Sequence, residues 1–367
     1  MSNRVTSVLS MLLVGSLLGP GVAAAQYGGG GMGGGGTTMP VAPKPPANPV
    51  TVTNLVEDQA GAAQVDPHLV DAWGLVAGPT TPWWVDNATT STSTLYDGTG
   101  TVLPLVVSVP GQPTGIVFNG GSQFALASGP AVFLFATEAG ILMGWNLSSG
   151  TTAETVANRS SVGAVYTGLA IATTPAGDQL YAADFHNARI DVFDGSFNLV
   201  SNPSAFVDKK ISKRFAPFNV QNLGGTLFVT YAKQDQAKRF DVPGAGLGFV
   251  DMFDTSGNLL GRVATKGALD APWGMALAPS NFGTFSGDLL VGNFGNGKVD
   301  AYQQQANGHW KPRGALRGTD GKPLKIDGLW GLSFGNDGLA GPASSLYVTA
   351  GPDGGSHGLF ASIQAAG

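Results

Sequence analysis

The chain has 367 residues, a formal net charge of −5 from 19 basic and 24 acidic residues, only 12% charged residues, 56 glycines, 23 prolines and no cysteine. The missing cysteines exclude disulfides, thiolate metal sites and cysteine nucleophiles, and the acidic balance gives no overall attraction to nucleic acid or to an anionic membrane. Few charges and many turn formers suit an all-β domain that works outside the cytoplasm.

In chain order, residues 1–25 read as a secretory signal peptide: one cation at Arg4, an apolar run from Val8 to Leu18, and Ala23 and Ala25 before Gln26. The run is too short to span a bilayer, and no later stretch approaches the roughly 20 apolar residues of a transmembrane helix. The protein is therefore expected to be secreted or periplasmic, with no membrane span. Residues 26–49, YGGGGMGGGGTTMPVAPKPPANP after Gln26, offer almost nothing to bury and read as a flexible Gly/Pro-rich tether.

From residue 50 onward one layout recurs. Its anchors are AWGL, PTGI, YTGL, PFNV, PWGM and LWGL, whose third residues stand at 74, 115, 168, 219, 274 and 331. The separations of 41, 53, 51, 55 and 57 residues lie near the length of one propeller blade. After each anchor comes an apolar strand (PWWVDN, VFLFATEA, LYAADFHN, LFVTYAK, LLVGNFGN, LYVTAGPDG) and often an alternating third strand such as RIDVFD, GFVDMFD or KVDAY. YDGTG, FDGSFN and FDTSGN are recurring turns, and no long amphipathic helix intervenes. The pattern predicts an all-β, six-bladed β-propeller over 50–367, closed by pairing of Val50–Val56 with the last blade so that no sheet edge stays free.

The elements LYAADFHNARIDVFD, QPTGIVFN and NFGTFSGDLLVGNFGNGKVDAY resemble NHL-type repeats, and more closely an uncharacterised bacterial family of exported NHL-like propellers, some associated with PEP-CTERM sorting signals. That resemblance implies the fold and export and supplies no reaction; no PEP motif follows Ser362.

Asp184 and His186 stand two residues apart in ADFHN and are the candidates for catalytic chemistry, with the tying of a turn by Asp184 as the alternative. The resemblance to gluconolactonase-like propellers suggests a calcium-type divalent cation held by Glu138, Asp184 and Asn293, although no loop has the Asp spacing of a dedicated calcium motif. No histidines are paired at i, i+3 or i, i+4, and no GxSxG elbow is present, which leaves zinc and serine-hydrolase chemistry without support. Trp73, Trp273 and Trp330 in three anchors serve either packing between blades or stacking on a ligand. Lys233, Lys238 and Arg239 lie in a long insertion after the second strand of the fourth unit, near Lys209, Lys210, Lys213 and Arg214; they read either as a solvated, functionless loop or as a local cationic pole for an anionic small molecule or acidic polysaccharide, with the insertion as a lid.

Two functions stay open: a propeller that binds a small molecule, glycan or protein partner at one face, expected as a monomer, and a cation-dependent lactonase- or hydrolase-type enzyme with its site at the central channel.

Overall fold

A computed structural model describes residues 49–200 and 202–366; the proposed signal peptide and all but the last residue of the tether lie outside them. The fold is a six-bladed β-propeller. Blade 1 comprises Ala72–Val76, Trp83–Asn87, Thr92–Tyr96 and Val102–Ser108, and blade 2 comprises Pro113–Phe118, Phe133–Thr137, Ile141–Trp145 and Glu154–Asn158. Blade 3 has three strands, Tyr166–Thr174, Gly177–Asp184 and Arg189–Asp194. Blade 4 runs through Phe215–Leu223, Thr226–Lys233, Gly248–Phe253 and Leu259–Thr265, and blade 5 through Pro272–Leu277, Leu289–Asn293, Val299–Gln304 and Trp310–Ala315. All neighbouring strands within these blades are antiparallel.

Blade 6 is assembled from both ends of the domain. Leu329–Phe334, Leu346–Ala350 and Leu359–Ala365 come from the C-terminal part, and Val50–Glu57 adds the outermost long strand, paired from Val50 opposite Ala365 to Glu57 opposite Leu359 with one bulge between Asn54 and Val56. The expected closure is therefore present. Val50 and Val56 are fully or nearly fully buried, so the clasp is held by apolar packing as well as by its ladder.

The anchors acquire a physical reason once the inner strands are seen side by side. A β-carbon on Gly115 would lie 2.6 Å from the Leu169 amide nitrogen of blade 3, and one on Gly331 would lie 2.9 Å from the Trp73 carbonyl oxygen of blade 1. Gly74, Gly168 and Gly274 meet the inner strands of blades 2, 4 and 6 in the same way. Only a residue without a side chain lets the backbones approach this closely around the ring. Blade 4 carries Asn219 at that position and links to blade 5 by a hydrogen bond, Nδ2 donating to the Trp273 carbonyl at 3.0 Å.

The recurring turns are also explained. Asp97, Asp194 and Asp254 each accept two backbone N–H bonds from the residues two and four ahead, all at 2.8–2.9 Å. Desolvation raises each carboxyl, but side-chain bonds from Thr99, Asn198 and Asn258 together with these backbone bonds outweigh it and hold all three below the usual carboxylate range.

Candidate functional site

One backbone hydrogen bond is repeated in every blade. The residue after the second strand donates its N–H to the carbonyl of the residue before the inner strand: Ala88 to Asp71, Glu138 to Gln112, Phe185 to Val165, Gln234 to Arg214, Phe294 to Ala271 and Gly351 to Gly328, at 2.8–3.0 Å. Both connections therefore emerge on one face of the ring. In four blades the residue before the inner strand has a left-handed backbone, with φ of 53° at Asp71, 63° at Gln112, 45° at Ala271 and 63° at Gly328. For Asp71 and Gln112 this conformation is disfavoured, and it is associated with sites where a side chain must be aimed.

A pocket of about 260 Å³ opens on this face. Its aromatic wall comes from Trp73, Trp330, Phe218 and Phe294, and its polar wall from Asp71, Gln112, Glu138, Arg239 and Asp241. The aromatic wall is a pile. Trp330 stacks on Trp73 with centroids 3.6 Å apart and on Phe294 at 3.9 Å, while Trp273 meets both tryptophans edge-on at 6.1 and 5.8 Å. Phe185 and Phe218 complete this buried cluster at the centre of the ring. Asp71 Oδ1 accepts the Trp330 indole N–H at 3.1 Å.

Burial dominates the electrostatics of the polar wall. It pushes the Asp71 carboxyl up to about 6 against the opposing pull of the two indoles, and the Asp241 carboxyl up to about 6 with help from nearby Asp270 and Asp235. Burial also raises Glu138, against the opposing charge of Arg239. Arg239 Nη2 lies 3.3 Å from Glu138 Oε2, and its guanidinium carbon stands 5.8 Å from the centroid of the Phe240 ring.

Arg239, Phe240 and Asp241 all belong to the insertion between the second and third strands of blade 4. The insertion is a built structure. Asp235 Oδ1 accepts the Arg239 amide at 2.8 Å, the Val242 amide donates to the Lys233 carbonyl at 2.8 Å, and the Gly244 amide donates to Asp270 Oδ1 at 2.6 Å. Gln234 Nε2 donates to the carbonyls of Phe185 and His186 in blade 3. The tip thus leans over the pocket, with Phe240 56% exposed at its edge.

The residues expected from sequence fall into three groups. Trp73, Trp330, Glu138 and Arg239 meet in the pocket. Trp273 packs beneath it and donates its indole N–H to the Thr167 carbonyl at 2.7 Å. Lys233 and Lys238 line a separate depression with Lys213 and Arg214, so the three cations of the insertion do not act as one set.

Asp184 and Asn293 are placed differently from the expectation. They occupy the last position of the second strand, one residue before the mouth-facing position held by Glu138, Phe185 and Phe294. A shift of one residue turns a strand side chain to the other face. Asp184 accepts Asn187 Nδ2 at 2.7 Å and the Asn187 and Val165 amides at 3.2 Å, with Arg189 Nη2 at 3.5 Å. Asn293 accepts the Asp270 amide and donates to Asp300 Oδ2, each at 2.9 Å. Both tie turns. His186 is linked to the insertion through its backbone carbonyl, and the residue of the ADFHN stretch that reaches the centre is Phe185. Glu138, Asp184 and Asn293 do not fit a shared cation: the last two spend their oxygens on their own chain, and among the described residues no three His, Asp or Glu side chains are grouped as metal ligands.

Asp71, Gln112, Asp241, Phe218, Phe240 and Phe294 were not anticipated. Phe294 carried a usable signal through its position after LLVGN, equivalent to that of Glu138 after VFLFAT, and Phe218 through its place in PFNV, the anchor position that Trp73, Trp273 and Trp330 hold.

No family model matches the chain. It is 34% identical over 291 residues to the uncharacterized protein L690 of Acanthamoeba polyphaga mimivirus, covering 74% of this chain and 75% of that one. It is 32% identical over 314 residues to the uncharacterized protein R648 of the same virus, covering 80% and 76%. Among solved structures, a structural genomics protein of unknown function from Bacteroides thetaiotaomicron superposes with a TM-score of 0.56 at 8% identity, over 87% of this chain and 76% of that chain, a likeness of fold alone. The relatives found are viral where a bacterial exported family was expected, and they bring no NHL-type or PEP-CTERM assignment. At this identity over three quarters of each relative, the chain belongs to the family of these two mimivirus proteins.

Proposed function

We propose that the protein is a ligand-binding propeller whose site is the pocket at the channel mouth, with the tip of the blade 4 insertion as its cover. The observation that carries this reading is the convergence of aromatic and ionisable side chains from five blades and the insertion on one concavity of about 260 Å³. Pockets that mix an apolar wall with a few aimed polar groups are the usual form of small-molecule sites. The rigid ring supplies the floor, and the loops supply the chemistry. The size suits a small molecule, or one terminal group of a glycan or protein partner.

The amino terminus supports export: on this reading residues 1–25 are removed and residues 26–49 tether the propeller outside the cytoplasm. Among the described residues Glu138, Asp184 and Asn293 do not come together as ligands for the cation of the alternative hydrolase reading, so binding is the reading favoured here.

The test is a thermal-shift screen with small cationic, neutral and anionic organic molecules against the protein and its Gln112→Trp variant. Gln112 is exposed and lines the pocket, so a bulkier side chain is introduced at the rim and not in the core. A compound that raises Tm of the parent and not of the variant supports the reading; a screen in which every stabilising compound acts equally on both removes it.

A further inference from the structure

The charge inside the pocket is unbalanced. Three carboxyls, those of Asp71, Glu138 and Asp241, face a single cation, Arg239, and that guanidinium is already taken by Glu138 at 3.3 Å and by the Phe240 ring. Neither Asp71 nor Asp241 has a salt-bridge partner among the described residues. Asp241 Oδ2 is buried with no hydrogen-bond partner among them. Burying a carboxylate without a counter-charge is costly, and the upward displacement of both groups to about 6 is how that cost shows itself. The charged groups nearest to this pair, Asp270 and Asp235 behind Asp241 and Glu138 beside Asp71, make the field more negative still.

A bare metal ion would want six to eight oxygens, and this wall is aromatic. The wall that Trp73, Trp330, Phe294 and Phe218 build suits a soft, bulky cation, since aromatic and apolar surface covers its carbon substituents. One further group is only partly answered. Trp73 is 6% exposed, and its indole Nε1 faces the Asp71 carboxyl without a well-formed hydrogen bond. A neutral oxygen on the guest would complete this donor's bonding, which a plain ammonium does not do.

We infer that the pocket takes a small organic cation, an alkylated ammonium carrying a neutral oxygen acceptor, with Asp71 and Asp241 as its counter-charges, the aromatic pile as its wall and Trp73 Nε1 as donor to its oxygen. This inference rests on the pocket reading above and adds the class of ligand to it. Arg239 then works as a resident cation on the cover: it neutralises Glu138 and leaves the other two carboxyls for the guest.

Isothermal titration calorimetry with choline and with 3,3-dimethylbutan-1-ol, its neutral carbon isostere, separates charge from shape. Choline is expected to bind saturably, the isostere at least tenfold more weakly, and Asp241→Asn to lose at least tenfold of the choline affinity while keeping a cooperative thermal transition. Tetramethylammonium, which lacks the oxygen, is expected between the two. Equal binding of choline and the isostere, with both lost in Gln112→Trp, overturns the cation and leaves the pocket standing. Full choline affinity in Asp241→Asn, or displacement of choline by equimolar potassium chloride, also overturns it. Absence of heat from any of these probes overturns this inference, whereas the pocket reading is decided by the wider screen.

Discussion

Arg239 Nη2 sits 3.3 Å from Glu138 Oε2, joining the tip of the blade 4 insertion to the mouth of blade 2. Arg239 is 43% exposed and Glu138 only 11%, so the pair anchors a surface loop to a sheltered carboxyl. Screening by solvent limits what such a bridge adds to global stability. Its effect is local. In Arg239→Ala the thermal midpoint is expected to stay within a degree or two, while amide exchange across residues 235–242 accelerates severalfold. Unchanged exchange in that segment would show that the tip is held by Asp235 and Gln234 alone.

Asp241→Asn should stabilise the ligand-free protein in a pH-dependent way. The folded carboxyl titrates near 6 and the ordinary value is 3.8, so the folded state prefers the proton more than the unfolded state does. The resulting penalty is absent below about pH 4, grows between about pH 4 and 6, and is complete above that window. A carboxyl displaced this far costs the folded state about 2 kcal/mol after allowing for partial hydration. Chemical denaturation at pH 4 and pH 7.5 is the check: a gain for the variant at pH 7.5 that disappears at pH 4 is expected, and an equal gain at both would assign the effect to packing.

Gly115→Ala places a β-carbon 2.6 Å from the Leu169 backbone nitrogen, where no side chain can yield. A loss of about 2 kcal/mol is expected from forcing two inner strands apart. Gly261→Ala is the control, since its β-carbon meets only the flexible end of Met252 at 3.3 Å. Urea midpoints that fall equally for both variants would contradict the close-approach account.

Removing residues 1–57 takes away the outer strand of blade 6 and leaves Leu359–Ala365 with an open edge. Insoluble protein, or soluble aggregates by size-exclusion chromatography, is the expected outcome. A monomeric product that unfolds cooperatively would mean that the clasp is dispensable.

The second cationic feature is independent of the pocket. Lys213, Arg214, Lys233 and Lys238 line one depression. Lys233→Glu with Lys238→Glu is expected to weaken retention on an anionic matrix and to flatten its salt dependence, with Tm unchanged. Retention equal to that of the parent would return these residues to the solvated surface.

Much of the ring was legible in the chain because its signals are local. A glycine at five of six anchors marks backbone contact between blades, Asp followed by N–H donors two and four residues on marks a turn, and alternation marks strands. The outer clasp was legible for a different reason: a strand pattern with no partner left before the first anchor must pair with the end. The pocket was legible only in part. Trp73 and Trp330 stood out by residue type, and Arg239 by the length of its loop. Asp184 and Asn293 misled because an oxygen-bearing side chain at the end of a strand looks alike whether it faces the mouth or ties a turn, and a single residue of register separates the two. Asp71 and Asp241 left no mark, since a left-handed backbone on a residue other than glycine and the partner of a long insertion are set by tertiary packing.

The six-fold hydrogen bond between the two mouth connections uses the backbone of twelve residues and makes no demand on their side chains. Aspartate, glutamate, valine, arginine and two each of glutamine, phenylalanine, alanine and glycine already share these places within one molecule. Exchange at such places can recompose the chemistry of the mouth without disturbing the ring that supports it. Members of this family with the same ring can therefore differ in what they bind, and the twelve places name in advance where their sequences should be compared.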